Sequence, residues 1–578
     1  MNSTSKLLLL LFIFLTPMYI FSQGTYGVNL DTVKAQKFDN GKMWTFDFPP
    51  LDYFQSEYGF RPTQEWLDNV RMSALRFADY CSASFVSEDG LVMTNHHCGR
   101  ESVSQVEKEG EDLPKDGFLA MKIEDERKVP GLFVDQLIKI IDVTKEMQTA
   151  IDQGKDIEER DDFKFKKTTE IENRYKEGTS VVCQVVTLYN GGVYSAYIYK
   201  RYNDVRLVFA PEDNAGFFGG DPDNFTYPRY TLDCTFFRVY DEAGNPLKVN
   251  NYFRWSSNGA APGEPIFVVG NPGSTSRLLT VSQLEFKRDV TDPLILNYIN
   301  NFVDSLYKVI TANPDKEKEL NNELFNYTNS QKVYKGTLKG LNDGVLMARK
   351  KDFEKNFIQA VKSNEKLKAK YGNIWDDISA LVKQKREVFE KNKNGDFRTL
   401  YRKLQELGAK EDYYNQILGR AIYDVYGTKI PPDATFTLRI SDGVIKSYNY
   451  NGTIAPPNTT FYGMLDRYYS FEKKYPWEVH SRWLNPPADF DFGTPFNFIS
   501  TNDIIGGNSG SPMINKNAEI VGLIFDGNIE SMPGEFIYSS DVPTTVSVDS
   551  RGLLEAINDM YNLKRIGSEL VNGKITNN

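Results

Sequence analysis

The chain has 578 residues, 40% hydrophobic and 25% charged, with a formal net charge of −10. That length exceeds one ordinary core and predicts two or more domains, in a composition typical of globular proteins. The acidic excess argues against nucleic acid or an anionic membrane as the main partner.

At the N-terminus a single lysine, Lys6, precedes the apolar run Leu7–Leu15, which fades after Thr16-Pro17 into Tyr19-Ile20-Phe21-Ser22-Gln23. The run is short for a membrane span and has a polar exit, so residues 1–23 are expected to be a cleaved signal peptide. With no cysteine just after it and no second long apolar stretch, the mature protein is expected to be exported, to the periplasm or the medium, without stable membrane insertion. In an oxidising compartment the four cysteines suggest two disulfides, and four cysteines permit three pairings. Cys81–Cys98 is favoured because it would staple the strand leading into a histidine loop, which leaves Cys183–Cys234 by elimination. Three histidines and no Cys-x-x-Cys or His-x-x-x-His spacing make a metal site unexpected.

From about Trp44 to Ile266, short β-type runs are broken by Gly, Pro, Asn and Asp. Examples are Ser84-Phe85-Val86, Leu91-Val92-Met93, the run from Ser180 to Val186, and the run from Thr235 to Tyr240. This spacing predicts sandwich or barrel architecture, with a charge-rich helical excursion over Lys145 to Lys176. The texture then changes. Phe353, Phe357, Ile358 and Val361, and likewise Ile374, Ile378, Leu381 and Val382, recur at helical spacing with Lys and Glu between them. Pro431-Pro432 marks a boundary, after which alternation resumes, with Phe436, Leu438 and Ile440 on one side and Thr435, Thr437 and Arg439 on the other. The expected organisation is therefore residues 24–278, a helical insert over 279–430, and a returning β-rich part over 431–578.

Two of the three histidines stand together in Thr94-Asn95-His96-His97-Cys98, and far downstream lies Gly506-Gly507-Asn508-Ser509-Gly510-Ser511-Pro512. A serine hydroxyl needs a base to attack an amide at neutral pH, and the glycines around Ser509 permit a tight turn whose amides converge on one point. The N–H groups of Gly507 and Ser509 are the expected oxyanion hole. Together these segments resemble the two halves of a chymotrypsin-like serine peptidase. That class has its histidine directly before the cysteine, so His97 is favoured as base, with His96 a packed neighbour and His480 structural. The triad carboxylate should precede a buried strand. Asp233 fits, since the run from Cys234 to Val239 follows it, with Asp204, Asp213, Asp221 and Asp223 as competitors.

The stretch from Gly219 to Asp233, Gly-Gly-Asp-Pro-Asp-Asn-Phe-Thr-Tyr-Pro-Arg-Tyr-Thr-Leu-Asp, resembles the signature block of the bacterial serine dipeptidyl-peptidases related to dipeptidyl-peptidases 7 and 11. Thr94 to Gly99, Gly270 to Arg277, Asp433 to Ile440 and Gly506 to Asn528 support the resemblance across nearly the whole mature chain. It implies a mainly β fold, a chymotrypsin-like double β-barrel with an inserted α-helical cap domain. It implies His97, Asp233 and Ser509 as triad, and Asn224, Asn329 and Asp526, beside Phe225, as holders of the substrate's free α-amino group. It also implies no cofactor and a homodimer. The insert is shorter than is usual in the family, Phe225 stands where tryptophan is common, and Tyr230 where histidine is common. Gly527 stands at a position that looks like a selector in the family, arginine going with acidic substrates and glycine with apolar ones. The expected activity is release of dipeptides from oligopeptides with a free N-terminus, cutting after large apolar or aromatic residues. The alternatives are an open-cleft endopeptidase and a non-catalytic peptide-binding protein.

Overall fold

The computed structural model describes residues 28–576, so the expected signal peptide lies outside the described residues. Two large β-sheets dominate. The first has ten strands, running Phe118–Leu119, Val205–Ala210, Thr235–Val239, Leu91–Thr94, Cys81–Phe85, Ala74–Phe77, Val134–Asp142, Val193–Tyr202 and Val181–Leu188, with Arg127–Lys128 also on Val205–Ala210. Cys81–Phe85 and Leu91–Thr94 are buried at every residue, which explains why Leu91-Val92-Met93 reads as an apolar run; in Cys81–Phe85 the alternate positions are filled by the small buried Ser82 and Ser84.

The second sheet, of nine strands, runs Trp44–Thr45, Arg439–Val444, Pro265–Gly270, Pro512–Ile514, Glu519–Gly527, Thr545–Asp549, Pro495–Ser500 and Asn458–Thr460, with Arg254–Trp255 parallel to Glu519–Gly527. An isolated bridge between Ile445 and Ser500 brings Arg439–Val444 back toward Pro495–Ser500. The N-terminal arm is held on this sheet by the fully buried Asp442. Its carboxylate accepts hydrogen bonds from Trp44 Nε1 at 3.1 Å, Tyr53 OH at 2.7 Å and Tyr58 OH at 2.6 Å, and pairs with Lys42. Four donors around one carboxylate offset the cost of removing it from water.

Between Pro265–Gly270 and Arg439–Val444 the chain is helical, from Val281–Phe286 through Gly408–Tyr426. The longest of these helices, Glu317–Leu341, packs along the segment Ile529–Glu535 that follows Glu519–Gly527. Glycines permit the close approach. A Cβ on Gly340 would lie 2.7 Å from Pro533 Cγ, and one on Gly336 would overlap Met532.

Two sequence expectations change here. Alternation begun at Thr435 yields a strand only from Arg439. Phe436 takes a left-handed φ of 53°, because its amide is drawn to the carbonyls of Pro272 and Gly273. The second disulfide is absent. Cys81–Cys98 is formed, but Cys183 and Cys234 are free thiols. Cys183 lies in Val181–Leu188 at one end of the first sheet, while Cys234 directly precedes Thr235–Val239, six strand positions away. The two belong to separate apolar clusters, and a disulfide needs Cα atoms within about 7 Å.

Candidate active site

His97 and Asp233 are brought together by one strand pairing. Leu91–Thr94 and Thr235–Val239 are antiparallel neighbours with Thr94 opposite Thr235, so the residues just after the first strand meet those just before the second. His97 Nδ1 lies 2.7 Å from Asp233 Oδ2, and the His97 amide donates to Asp233 Oδ1 at 3.0 Å. Asn95 Nδ2 adds a hydrogen bond to the Asp233 carbonyl at 2.9 Å. Burial works to raise the Asp233 carboxyl, but the charge and hydrogen bonds of His97 outweigh it and hold it below its ordinary value. With Nδ1 engaged, the remaining nitrogen of the half-buried His97 is the one open to a reactant.

His96, by contrast, is buried with Nε2 3.2 Å from Asp213 Oδ1, and Gly216 lies against its ring. His480 accepts from the backbone N–H of Arg482 at 3.2 Å and caps the short helix Ser481–Leu484. Of the competing carboxylates, Asp204 pairs with Arg206 and Lys128, Asp213 with His96, and Asp221 with Lys332. Asp223 is buried without touching His97. Cys81 and Cys98, close enough to His97 to suggest a metal cluster, are joined to each other.

The serine turn is built on backbone that only glycine adopts easily. Gly507 has φ +99° and Gly510 φ +82°. A Cβ on Gly507 would stand 2.6 Å from Asn271 O, and one on Gly510 would overlap Ser82 O. Ser82, on the first sheet, donates its amide to Ser509 O at 2.8 Å and its hydroxyl to Gly507 O at 2.9 Å. Among the described residues neither the Gly507 nor the Ser509 amide has a hydrogen-bond partner, so both donors are unspent.

His97, Asp233 and Ser509 line one cavity of about 630 Å³. Asn224, Phe225, Asn329, Asp526 and Gly527 line it too. Asn329 comes from the helix Glu317–Leu341, which also presents Phe325, Val333, Tyr334 and Thr337 to the cavity, a spacing that keeps them on one helical face. Asp526 is re-aimed by a register shift between Ile524 and Asp526, where Phe525 is the extra residue of a bulge. Its Oδ2 accepts from the Phe225 amide and its Oδ1 from the Gly527 amide, at 3.0 Å and 2.7 Å. Asn224 Nδ2 donates to Asn329 Oδ1 at 3.0 Å. Phe225 is held at φ +62°, a strained backbone for an aromatic residue, between the glycine turn at Gly219-Gly220 and its bond to Asp526.

One member of this group escaped the sequence reading. Arg229, almost fully buried, forms an ion pair with Asp526 and lies over the Phe525 ring, 5.1 Å from its centre. Burial pushes the Asp526 carboxyl above its ordinary value, against the opposing pull of Arg229 and the two amides. The only sequence signal for Arg229 was its place as a lone arginine inside the acidic, aromatic block from Gly219 to Asp233. Gly527 was expected to serve either as pocket wall or as a turn residue needing positive φ. It lines the cavity and is not in the left-handed region; a Cβ there would lie 2.7 Å from Ser531 Oγ.

The family described as Peptidase S46 matches residues 38–398 and 395–572. The chain is 25% identical over 652 residues to dipeptidyl-peptidase 7 of Phocaeicola vulgatus, covering 86% of this chain and 90% of that protein. It is 28% identical over 375 residues to the Asp/Glu-specific dipeptidyl-peptidase of Shewanella putrefaciens, covering 61% of this chain and 50% of that one. In fold it matches the crystal structure of Porphyromonas endodontalis DPP11 with a TM-score of 0.79 at 18% identity, over 92% of this chain and 99% of that chain.

Proposed function

The chain belongs to the peptidase S46 family, and from that premise we propose that it is an exported serine dipeptidyl-peptidase that removes dipeptides from the free N-terminus of oligopeptides. In this reading residues 24–278 and 431–578 together build a chymotrypsin-like double β-barrel whose halves are the two sheets, the first part lending Trp44–Thr45, Arg254–Trp255 and Pro265–Gly270 to the second sheet, and residues 279–430 are an inserted helical cap. Ser509 attacks the carbonyl before the scissile bond while His97 takes its proton. Asp233 holds the imidazole by Nδ1 and stabilises the imidazolium that forms. The amides of Gly507 and Ser509 stabilise the oxyanion. His97 returns the proton to the departing amine, and water then resolves the acyl-enzyme by the same route.

The observation that carries the proposal is the coexistence, in one cavity, of the His97–Asp233 pair beside Ser509 and a buried polar cluster of Asn224, Asn329 and Asp526. A buried ammonium needs a carboxylate and neutral acceptors. Anchoring it a fixed distance from Ser509 measures off a dipeptide. Some relatives are named for Asp/Glu specificity and others only dipeptidyl-peptidase 7, a name that states no side-chain preference, so the names do not choose between acidic and apolar residues before the scissile bond. Gly527 supports the apolar choice: it leaves the wall without a charge, and Ile504, Ile505 and Phe525 line the same space.

The test is covalent labelling with a fluorophosphonate, lost in Ser509→Ala, combined with mass analysis of products from one peptide with a free N-terminus and its acetylated twin. Dipeptides from the free peptide alone support the proposal. Internal fragments from both peptides would make it an endopeptidase, and no labelling would make it a peptide-binding protein.

A further inference from the structure

The amine end of the cavity is closed by two parts of the chain more than a hundred residues apart in sequence: the segment from Phe217 to Phe225 and the helix Glu317–Leu341. Three contacts cross that seam. Phe217 and Phe325 meet edge to face with centroids 4.8 Å apart. Asn224 Nδ2 donates to Asn329 Oδ1 at 3.0 Å. The third is made by Lys332. Its ammonium donates to the carbonyls of Asp221 and Asn224, the latter at 3.4 Å, and lies 3.1 Å from Asp221 Oδ1. Among the described residues this is the only ion pair between that segment and that helix.

We propose that Lys332 is a specificity-determining residue that restricts cleavage to dipeptide release, by bolting the helix Glu317–Leu341 across the amine end of the cavity. The proposal rests on the reading of Asn224, Asn329 and Asp526 as the amine-binding cluster. A substrate with one more residue, or an acetyl group, must pass between the two segments where Lys332 joins them. Lys332 does not line the cavity and has no part in the proton transfers. Its role is to remove space, by tying the segment's backbone carbonyls to the helix. Charge-assisted hydrogen bonds to backbone carbonyls suit this task because they fix the distance between the segments as well as attracting them.

The bolt is separable from the rest of the helix's docking. Gly336 and Gly340 pack on Met532 and Pro533 further along the same helix, so loss of the Lys332 contacts leaves the helix seated and frees only its amine end. Lys332→Met keeps the length of the apolar stem and removes the charge and donors. Asp221→Ala weakens the same seam from the other side.

The experiment compares kcat/KM for a free peptide, its acetylated twin and the same peptide extended by one residue, with mass analysis of all products. In the wild type the free peptide is strongly preferred and only dipeptides leave it. In Lys332→Met the preference falls by about tenfold or more, through a gain on the blocked peptide, and tripeptides appear from the extended one. Turnover of a dipeptide reporter at saturation stays within about threefold, because the reacting groups are untouched. Lys332→Arg retains the wild-type pattern, and Asp221→Ala moves in the direction of Lys332→Met. A Lys332→Met enzyme with the wild-type preference and only dipeptide products overturns the proposal. A wild type that cuts free and blocked peptides equally overturns instead the amine-binding reading beneath it. Should Lys332→Met fail to fold, the product pattern of Lys332→Leu, which also removes every donor, decides the matter.

Discussion

Ser82 donates its backbone N–H to the carbonyl of Ser509 at 2.8 Å, joining the first sheet to the turn that carries the proposed nucleophile. The Ser82 hydroxyl donates to Gly507 O and also receives the Asn271 amide, so one residue ties the turn, the strand Cys81–Phe85 and the loop after Pro265–Gly270. Since Cys81–Phe85 neighbours Leu91–Thr94, which leads to His97, the proposed nucleophile and base are referenced to the same piece of backbone. Such fixing matters because small displacements at a reacting centre cost large factors in rate.

Ser509→Ala and His97→Ala are each expected to lower kcat by something on the order of 10⁶, with the double variant little worse, because the two act as a unit. His96→Ala is expected to keep far more activity, as its ring faces Asp213 rather than the cavity. Steady-state kinetics on a dipeptide reporter decides this; an inactive His96→Ala beside an active His97→Ala would reverse the assignment of the base.

Blocking the substrate's amine should leave Asp526 with one partner fewer in a buried site. Losing such a charge partner typically costs about 2–5 kcal/mol, or roughly 30- to several-thousand-fold in kcat/KM. Arg229→Met should act differently, on stability as well as on activity. Breaking a buried ion pair costs about 3–5 kcal/mol, so a clear drop in Tm is expected in a thermal melt, and an unchanged Tm would contradict the pairing with Asp526.

The same carboxylate predicts a pH signature. Burial raises the Asp526 carboxyl above its ordinary value, so the ionised form that attracts an ammonium is lost on acidification earlier than for an exposed aspartate. The ratio of kcat/KM for free over acetylated peptide should therefore fall as pH drops through that raised value, and fall again above about pH 8 as the substrate's own α-amino group loses its proton. Asp526→Asn should give a low ratio with no pH dependence over that acid range, and a wild-type ratio that rises on acidification through it would refute the assignment.

Gly527→Arg should lower turnover of substrates with large apolar residues before the scissile bond and raise cleavage after Asp or Glu, since a guanidinium pairs with a carboxylate where glycine leaves only volume. Gly527 has no left-handed φ, so the substitution is opposed by Ser531 Oγ, which must give up its hydrogen bond to Asn528 O to rotate away, and by the Thr544 carbonyl 3.3 Å from the new Cβ. A wild-type enzyme that already prefers acidic residues in a side-chain library would refute the apolar reading.

The cysteine correction is checked by counting thiols. Protein unfolded without reductant should titrate two thiols with Ellman's reagent, and none after Cys183→Ser and Cys234→Ser are combined. A count of zero in the unsubstituted protein would restore the second bridge.

What could be read from the residues alone was whatever depends on neighbours along the chain. The turn around Ser509 needs glycine at the two positions with positive φ, His97 sits beside a cysteine that closes the Cys81–Cys98 loop, and Asp233 stands two residues before a buried strand. The helical stretch after Val281 announced itself by its apolar period, and the short strands by their punctuation. Juxtapositions between distant segments left no such local trace. Only the sheet order shows that Cys183 and Cys234 stand six strands apart, and only packing sets Arg229 against Asp526 or Lys332 across to Asp221. Gly527 makes the distinction plainest. Its identity suggested either a turn or an open wall, and the choice rested on backbone torsion and on the nearby Ser531 Oγ, both consequences of how Glu519–Gly527 and Ile529–Glu535 fold back on each other. Local rules specify which conformations and chemistries a residue can supply, whereas long-range packing decides which partner each side chain meets.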